Sequence, residues 1–354
     1  MFRYIIRRLL ILPLIMTAVS MLIFAMLSLL TPYERASLYV QDISKRPGAI
    51  DSIIEKYGLN DPIPVQYWHW LVGRKDANTG EIEGGILRGN LGWSKTGKAT
   101  VWEVIARRMP ATAELAIWAG IPMILIGVGL GVISAVNHNK LPDQVLRVIS
   151  IVGWSIPVFV FGLLCLMFFY ARLGWFAPGR LSDWAMQVVQ SDSYRVYTGM
   201  YTVDSLLNLR LDIFRNAVSH LVLPSVTLAY LNWAYMLRLT RSSMLDTLSQ
   251  DYMTTARAKG LTERLVILRH ALPNGLIPVV TIGAIMLIGL LNGVVITETI
   301  FDYPGMGSFM AQSALSLDVI SVLGITLFSA FILISGNLIV DILYGIIDPR
   351  IRLD

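Results

Sequence analysis

The sequence predicts an all-α membrane protein with six transmembrane helices and both termini in the cytoplasm. Three observations carry this. The 354 residues are 55% hydrophobic and only 15% charged, with a mean hydropathy of +0.61, whereas soluble domains are about a quarter charged. Apolar runs of about 20 residues recur, the length that crosses hydrocarbon as a helix. The formal net charge of +5 is also unevenly spread. If the spans alternate, nearly the whole basic excess falls on the inside segments, as the positive-inside rule requires. No long basic tract suggests nucleic acid, and Cys165, the single cysteine, lies in an apolar run where packing is its role.

Arg3, Arg7 and Arg8 precede the apolar run Leu9 to Leu30. That run is longer than a signal-peptide core, and Thr31-Pro32-Tyr33-Glu34 stands where a cleavage site would be, so residues 1–30 read as an inside N-terminus and an uncleaved first span. Residues 31–108 form a polar outside segment punctuated by Gly and Pro, with amphipathic helical patterns at Asp51 to Tyr57 and Val65 to Val72. Within it, Gly92 to Ala99 nearly spells a phosphate-binding loop. Ala99 replaces the hydroxyl that would hold Mg²⁺ and no β-branched strand precedes it, so a nucleotide site is not expected.

Residues 109–354 hold the other five spans. The second, about 111–136, carries Gly127 and Gly131 at the spacing that lets helices approach closely. A short inside loop, 137–143, leads to the third, about 145–170, where Pro157 predicts a kink. The fourth is about 220–239 and ends in Arg238 and Arg241. The fifth is about 276–296, with a second small-residue pair at Gly289 and Gly293, and the sixth is about 319–343.

Between the fourth and fifth spans lies a polar hairpin, residues 241–273, too charged for hydrocarbon. Met244 to Lys259 has no Gly or Pro, Gly260 stands at a helix C-cap, and Thr262 with Glu263 can start a second short helix; Pro273 closes that helix or starts the next one. The stretch resembles the cytoplasmic loop of type I ABC importer permeases, whose pattern is Glu-Ala-Ala, three residues, Gly, nine residues, Ile-x-Leu-Pro. Thr254-Thr255-Ala256, Gly260 and His270-Ala271-Leu272-Pro273 keep that spacing, with Thr254, Thr255 and His270 departing from its wording. Asp251-Tyr252-Met253-Thr254-Thr255-Ala256-Arg257-Ala258-Lys259-Gly260-Leu261 is similar to the dipeptide/oligopeptide/nickel branch. Tyr57 to Pro62, Gly89 to Ser94, Met109 to Ala116, Thr297 to Gly307 and Asp348-Pro349-Arg350 also resemble peptide-type permeases.

The resemblance implies the type I importer permease fold in the inner membrane of a prokaryote. It implies a second homologous permease subunit, two ATP-binding cassette subunits that use ATP and Mg, and an extracytoplasmic solute-binding protein. This chain would bind no cofactor itself and catalyse nothing. Its cargo would be di- or oligopeptides, with nickel, glutathione or oligosaccharides as alternatives on the same architecture; an ion-coupled carrier acting alone is the competitor from another class. The expected ATPase-coupling residues are Asp251, Thr254, Thr255, Ala256, Arg257, Ala258, Lys259, Gly260, Leu261, Leu272 and Pro273.

Asn232, Asn292, Glu298 and Asn337 are candidates for a wet translocation path. For the asparagines the plainer role is interhelical hydrogen bonding, worth roughly 0.6–2 kcal/mol each. Glu114, Glu298 and Asp341 lie near span ends, where contact with water or headgroups would account for them. His69, His138, His220 and His270 fall on opposite faces of the membrane without metal-ligand spacing, so no metal site is expected. Sparse charge in the spans argues against a proton or sodium relay.

Overall fold

A computed structural model describes residues 2–39, 49–75 and 82–347. In chain order its elements are α1 (Phe2–Ser28), α2 (Pro32–Tyr39), α3 (Ala49–Tyr57), α4 (Ile63–Val72), β1 (Arg74–Lys75), β2 (Ile82–Glu83), β3 (Trp93–Ser94), β4 (Ala99–Thr100) and α5 (Val101–Val136). There follow α6 (Leu141–Ser155), α7 (Val158–Cys165), α8 (Asp183–Val189), α9 (Tyr201–Leu207) and α10 (Leu211–Leu248). Then come α11 (Asp251–Ala258), α12 (Glu263–Leu265), α13 (Leu272–Gly275), α14 (Ile277–Leu291), α15 (Val295–Ile300), α16 (Met306–Leu315) and α17 (Val319–Ile347). Wider π-type turns extend α7 over Leu166–Arg172 and join α12 to α13 over Val266–Ala271.

The protein is mostly helical. Among the described residues three helices are long and apolar enough to cross a membrane, over Leu9–Ser28, Val101–Val136 and Val319–Ile342. Two bent pairs, Leu141–Ser155 with Val158–Arg172 and Glu263–Gly275 with Ile277–Leu291, would bring the number to five. The expected fourth span lies within α10, which is less apolar. Its neighbours explain why: Leu221, Leu228, Ala234, Met236 and Leu237 are buried among other helices, so α10 is covered by protein rather than lipid and needs no continuous apolar surface.

The chain divides into two compact units. One comprises residues 2–109 and 309–335. The sequence groups 309–335 with the core spans, but Asp318 ties them to the β3–β4 stretch. Its Oδ2 accepts from Ser94 Oγ at 3.0 Å and the Thr96 amide at 2.9 Å, and Trp102 meets Phe328 edge-on at 6.0 Å. Burial pushes the Asp318 carboxyl up, yet these donors with Ser321 hold it below its ordinary value. Gly92–Ala99, the near phosphate loop, is the β3–β4 hairpin; its Thr96 and Gly97 amides are already taken by Asp318 and Ser94.

Two helices of this unit begin with reciprocal capping boxes. At α2, Thr31 N donates to Glu34 Oε2 at 2.8 Å and Glu34 N to Thr31 Oγ1 at 3.3 Å. At α5, Thr100 N donates to Glu103 Oε2 and Glu103 N to Thr100 Oγ1, both at 3.2 Å. The second box starts α5 ten residues before the expected span, because it satisfies amide donors that a helix start otherwise leaves open.

The other unit comprises residues 110–308 and 336–354, of which 348–354, with the Asp348-Pro349-Arg350 tail, lie outside the described residues. Its spine is α10. At Gly127 and Gly131 a Cβ would come within 2.5 Å of Met236 Cβ and Thr240 Cβ respectively. This pair is therefore a close α5–α10 crossing. The second pair is not: a Cβ at Gly289 meets nothing within 4 Å, and Gly293 turns the chain at φ +95° beside the Gly307 backbone. Pro157 gives more than a kink. It forces Ile156 into extended backbone, and α6 and α7 diverge by 97°. Cys165 is buried with Leu223 and Phe301.

These contacts give a differential expectation. Gly131→Leu should abolish a monodisperse, cooperatively melting protein in detergent, while Gly289→Ala should shift the melting temperature by no more than a degree or two, as for a surface change within about 0.5 kcal/mol.

Candidate functional site

The hairpin between α10 and α14 forms as its residues dictate. α10 ends at Leu248, and Gln250, in extended backbone, is the N-cap of α11. α11 stops at Lys259, and Gly260 turns the chain at φ +77°, a conformation that costs an L side chain about 1–2 kcal/mol. Thr262 occupies the N-cap of α12 with extended backbone, but its hydroxyl makes no capping hydrogen bond; its carbonyl receives the Leu265 and Val266 amides at 2.9 and 3.0 Å. Of the two roles open to Pro273, the chain adopts the second: it lies in the first turn of α13, where its missing N–H costs nothing.

The inner face of the hairpin is a core. Met253, Ala256, Val266 and Ala271 pack with Ala135 and Met244, with Leu261 and Leu272 against them. The outer face presents Thr254, Thr255, Ala258, Lys259 and Gly260, all exposed, with Tyr252, Leu265 and Leu268 at 42%, 39% and 50% exposure. Arg257 reaches across the turn and pairs with Glu263 through two hydrogen bonds of 3.1 and 2.9 Å, an interaction that raises the Arg257 pKa. Among the described residues Lys259 has no acidic partner.

The base of the hairpin is clamped. Ser243 Oγ donates to the Gly275 carbonyl at 2.7 Å, and a Cβ at Gly275 would lie 2.6 Å from Met244 Sδ. Two residues earlier, Arg241 donates from Nε to Asp143 Oδ1 at 2.7 Å and from Nη2 to Asp143 Oδ2 at 2.9 Å. Asp143 is fully buried and also receives Ser134 Oγ at 2.6 Å and the Asn139 amide at 2.9 Å. His138 joins through Arg241 at 3.2 Å. In the sequence Arg241 only ends the fourth expected span and Asp143 only closes the 137–143 loop; a Pro142-Asp143 helix start on one side of an arginine-ended span is the available signal.

The translocation candidates do not converge. Asn232 Nδ2 donates to the Leu228 carbonyl of its own helix at 2.8 Å, Asn292 Oδ1 is buried without a partner, and Asn337 is exposed. No hydrogen bond links any two of the four. Glu298 is fully buried, not bathed in water at a span end. Thr112 Oγ1 and the Ser308 amide donate to it at 2.8 and 2.7 Å, and a Cβ at Gly305 would collide with its carboxylate, so the Pro304–Gly307 turn wraps it. Burial pushes its carboxyl pKa up.

Glu114 is likewise 2% exposed. Arg180 Nη2 donates to it at 2.6 Å, the Thr202 amide at 2.7 Å and Tyr303 Oη at 2.9 Å, and Arg180 stacks 4.0 Å from the Tyr201 ring centroid. Both carboxylates are needed to join segments distant in sequence, which local reading of span ends does not reveal.

A model of the binding-protein-dependent transport system inner membrane component family matches residues 127–353, and a model of the N-terminal part of such components matches residues 1–116. The chain belongs to this family. The chain is 37% identical over 342 residues to the probable D,D-dipeptide transport system permease protein DdpB of Escherichia coli (strain K12), covering 96% of this chain and 94% of that one. It is 38% identical to the oligopeptide transport system permease protein AppB of Bacillus subtilis (strain 168), over 85% and 84% of the two chains. It is 34% identical to the dipeptide transport system permease protein DppB of Escherichia coli (strain K12), over 99% of both.

Two tests follow from the geometry. Arg241→Ala leaves Asp143 a buried charge without its main partner and should cost about 3 kcal/mol or more in unfolding free energy, whereas Asp246→Ala, on the exposed side of the same helix end, should cost little; thermal and urea melts in detergent compare them. For Glu298, a raised folded-state pKa means that its contribution is fully present below the ordinary carboxylate pKa and is lost as pH rises through the raised value. The melting temperature should therefore fall less for Glu298→Gln than for the native chain between about pH 4 and 8.

Proposed function

We propose that this chain is the permease subunit of an ATP-driven importer in the inner membrane of a prokaryote and forms half of a path for di- or oligopeptides. Family membership supports the importer, and the dipeptides and oligopeptides in the names of the relatives support peptides as cargo. In this reading the chain crosses the membrane six times with both ends inside, α10 being the fourth crossing. It pairs with a second homologous permease, two ATP-binding cassette subunits that bind ATP and Mg, and an external solute-binding protein. The chain itself has no catalytic role.

The observation that carries the coupling role is the two-sided hairpin. Its inner face is fixed to α5 and α10, and its outer face offers Tyr252, Leu265 and Leu268 beside Lys259 and Arg264. An apolar patch trimmed by cations on a short helix is a surface for a groove in another protein. The clamp at Ser243–Gly275 and the Arg241–Asp143 pair make that surface rigid with the span, so a motor that moves the hairpin moves α10. Asp251, Thr254, Thr255, Ala256, Arg257, Ala258, Lys259, Gly260, Leu261, Leu272 and Pro273 build the hairpin; of these, Ala256 and Leu272 pack inward and Arg257 braces the turn.

In the reconstituted importer, loaded solute-binding protein should stimulate ATP hydrolysis. Gly260→Val, with open space for its side chain but strained backbone, and Leu268→Glu, which puts a charge in the apolar patch, should each reduce that stimulation about tenfold, the effect of about 1.4 kcal/mol. Both should insert and melt almost as the native chain does. Full stimulation in both variants would contradict the coupling role.

A further inference from the structure

Residues 2–109 and 309–335 enclose a cavity of about 720 Å³ with no part in the coupling surface. Its walls are apolar where helices reach it: Phe24 and Leu27 from the end of α1, and Leu323 and Leu327 from the start of α17. Its polar lining is one-sided. The described residues around it include Arg35, Lys56, Arg74 and Lys95 but no Asp or Glu.

Arg35 is the informative member. It is 8% exposed. Its Nη1 donates to Gln66 Oε1 and its Nη2 to the Leu59 carbonyl at 3.4 Å, both neutral acceptors, and its Nε is buried with no partner. Gln66 is itself fixed by the Leu59 and Asp61 carbonyls at 2.9 and 2.6 Å, so the guanidinium cannot swing away with it. Among the described residues Lys95 Nζ donates to the Ser37 carbonyl, at 2.9 Å, and meets no carboxylate. Arg74 donates to the Glu55 and Lys56 carbonyls and has one carboxylate, Asp61, at 3.9 Å. His69 adds a second buried, unpartnered nitrogen, Nδ1.

A buried cation without a counter-ion is among the costliest arrangements in a protein. A cavity of this size is in the range that holds a small ligand, and walls built from the ends of two apolar helices suit a hydrocarbon chain. We propose that this cavity binds an anionic amphiphile, a phosphate or carboxylate group on an apolar tail. The anion meets Arg35 and Lys95, and the tail lies along Phe24, Leu323 and Leu327. Two sources share this chemistry, an anionic membrane phospholipid and a free fatty acid.

The test uses the full chain within its purified complex, delipidated in detergent. Melting temperature is followed while phosphatidylglycerol, phosphatidylcholine or decanoate is added, and native mass spectrometry reads what remains bound. Phosphatidylglycerol or decanoate should stabilise the chain and phosphatidylcholine should not; whichever anion is retained identifies the source. Arg35→Gln, which keeps a hydrogen-bonding group without the charge, should weaken binding about tenfold or more, as expected for a lost hydrogen bond to a charged group. Leu323→Trp, which fills the cavity and leaves every cation in place, should also abolish binding, and it decides the matter if Arg35→Gln does not fold. Equal stabilisation by zwitterionic and anionic lipids, or unchanged binding in Leu323→Trp, would overturn the proposal.

Discussion

The pairing of Arg241 with Asp143 is the interaction on which the rest of the α10 unit depends. Asp143 is wholly removed from water and saturated by four donors, two of them from Arg241. A buried pair of this kind is a poor source of stability but a strong source of geometry, because any other arrangement leaves a carboxylate stranded. It fixes where α10 meets the turn between α5 and α6. Since α10 also crosses α5 closely at Gly127 and Gly131 and leads directly into the hairpin, this ion pair helps set the position of the hairpin's outer face.

The far end of the same unit is held by the same means. Glu114 gathers Arg180, Thr202 and Tyr303, and Glu298 gathers Thr112 and Ser308. These carboxylates stitch the start of the second span to two loops that would otherwise be joined only by their ends. Low surrounding polarity strengthens each hydrogen bond and makes each loss expensive. The unit therefore has polar locks at both extremities and apolar packing, with small residues, between them. Such a body transmits displacement along α10 with little internal give.

How much of this the sequence disclosed depends on the range of the interaction. The hairpin was legible because its causes are local: a gap in Gly and Pro, a glycine at the turn, a threonine before an acid. The first small-residue pair was legible as packing, but Gly289 and Gly293 have the same spacing and do something else, since spacing does not say what lies opposite. Pro157 announced a break without its 97° angle, which the neighbours of α7 determine. The Thr100–Glu103 capping box was readable and passed over, and α5 starts early on account of it. Glu114 and Glu298 were misjudged for a different reason. Position near a span end is a one-dimensional property, while their donors come from segments up to 189 residues away.

The central claim is that force enters through the outer face of the hairpin. Leu268→Cys, in a Cys165→Ser background, places one thiol on that face of the assembled importer. The most direct measurement is site-specific crosslinking from this thiol in inside-out and right-side-out vesicles. The account predicts crosslinking to the ATP-binding cassette subunit, and protection of the thiol from a membrane-impermeant maleimide when that subunit is present in inside-out vesicles. Labelling from the external side, or a thiol that remains freely reactive in the assembled complex, would contradict it.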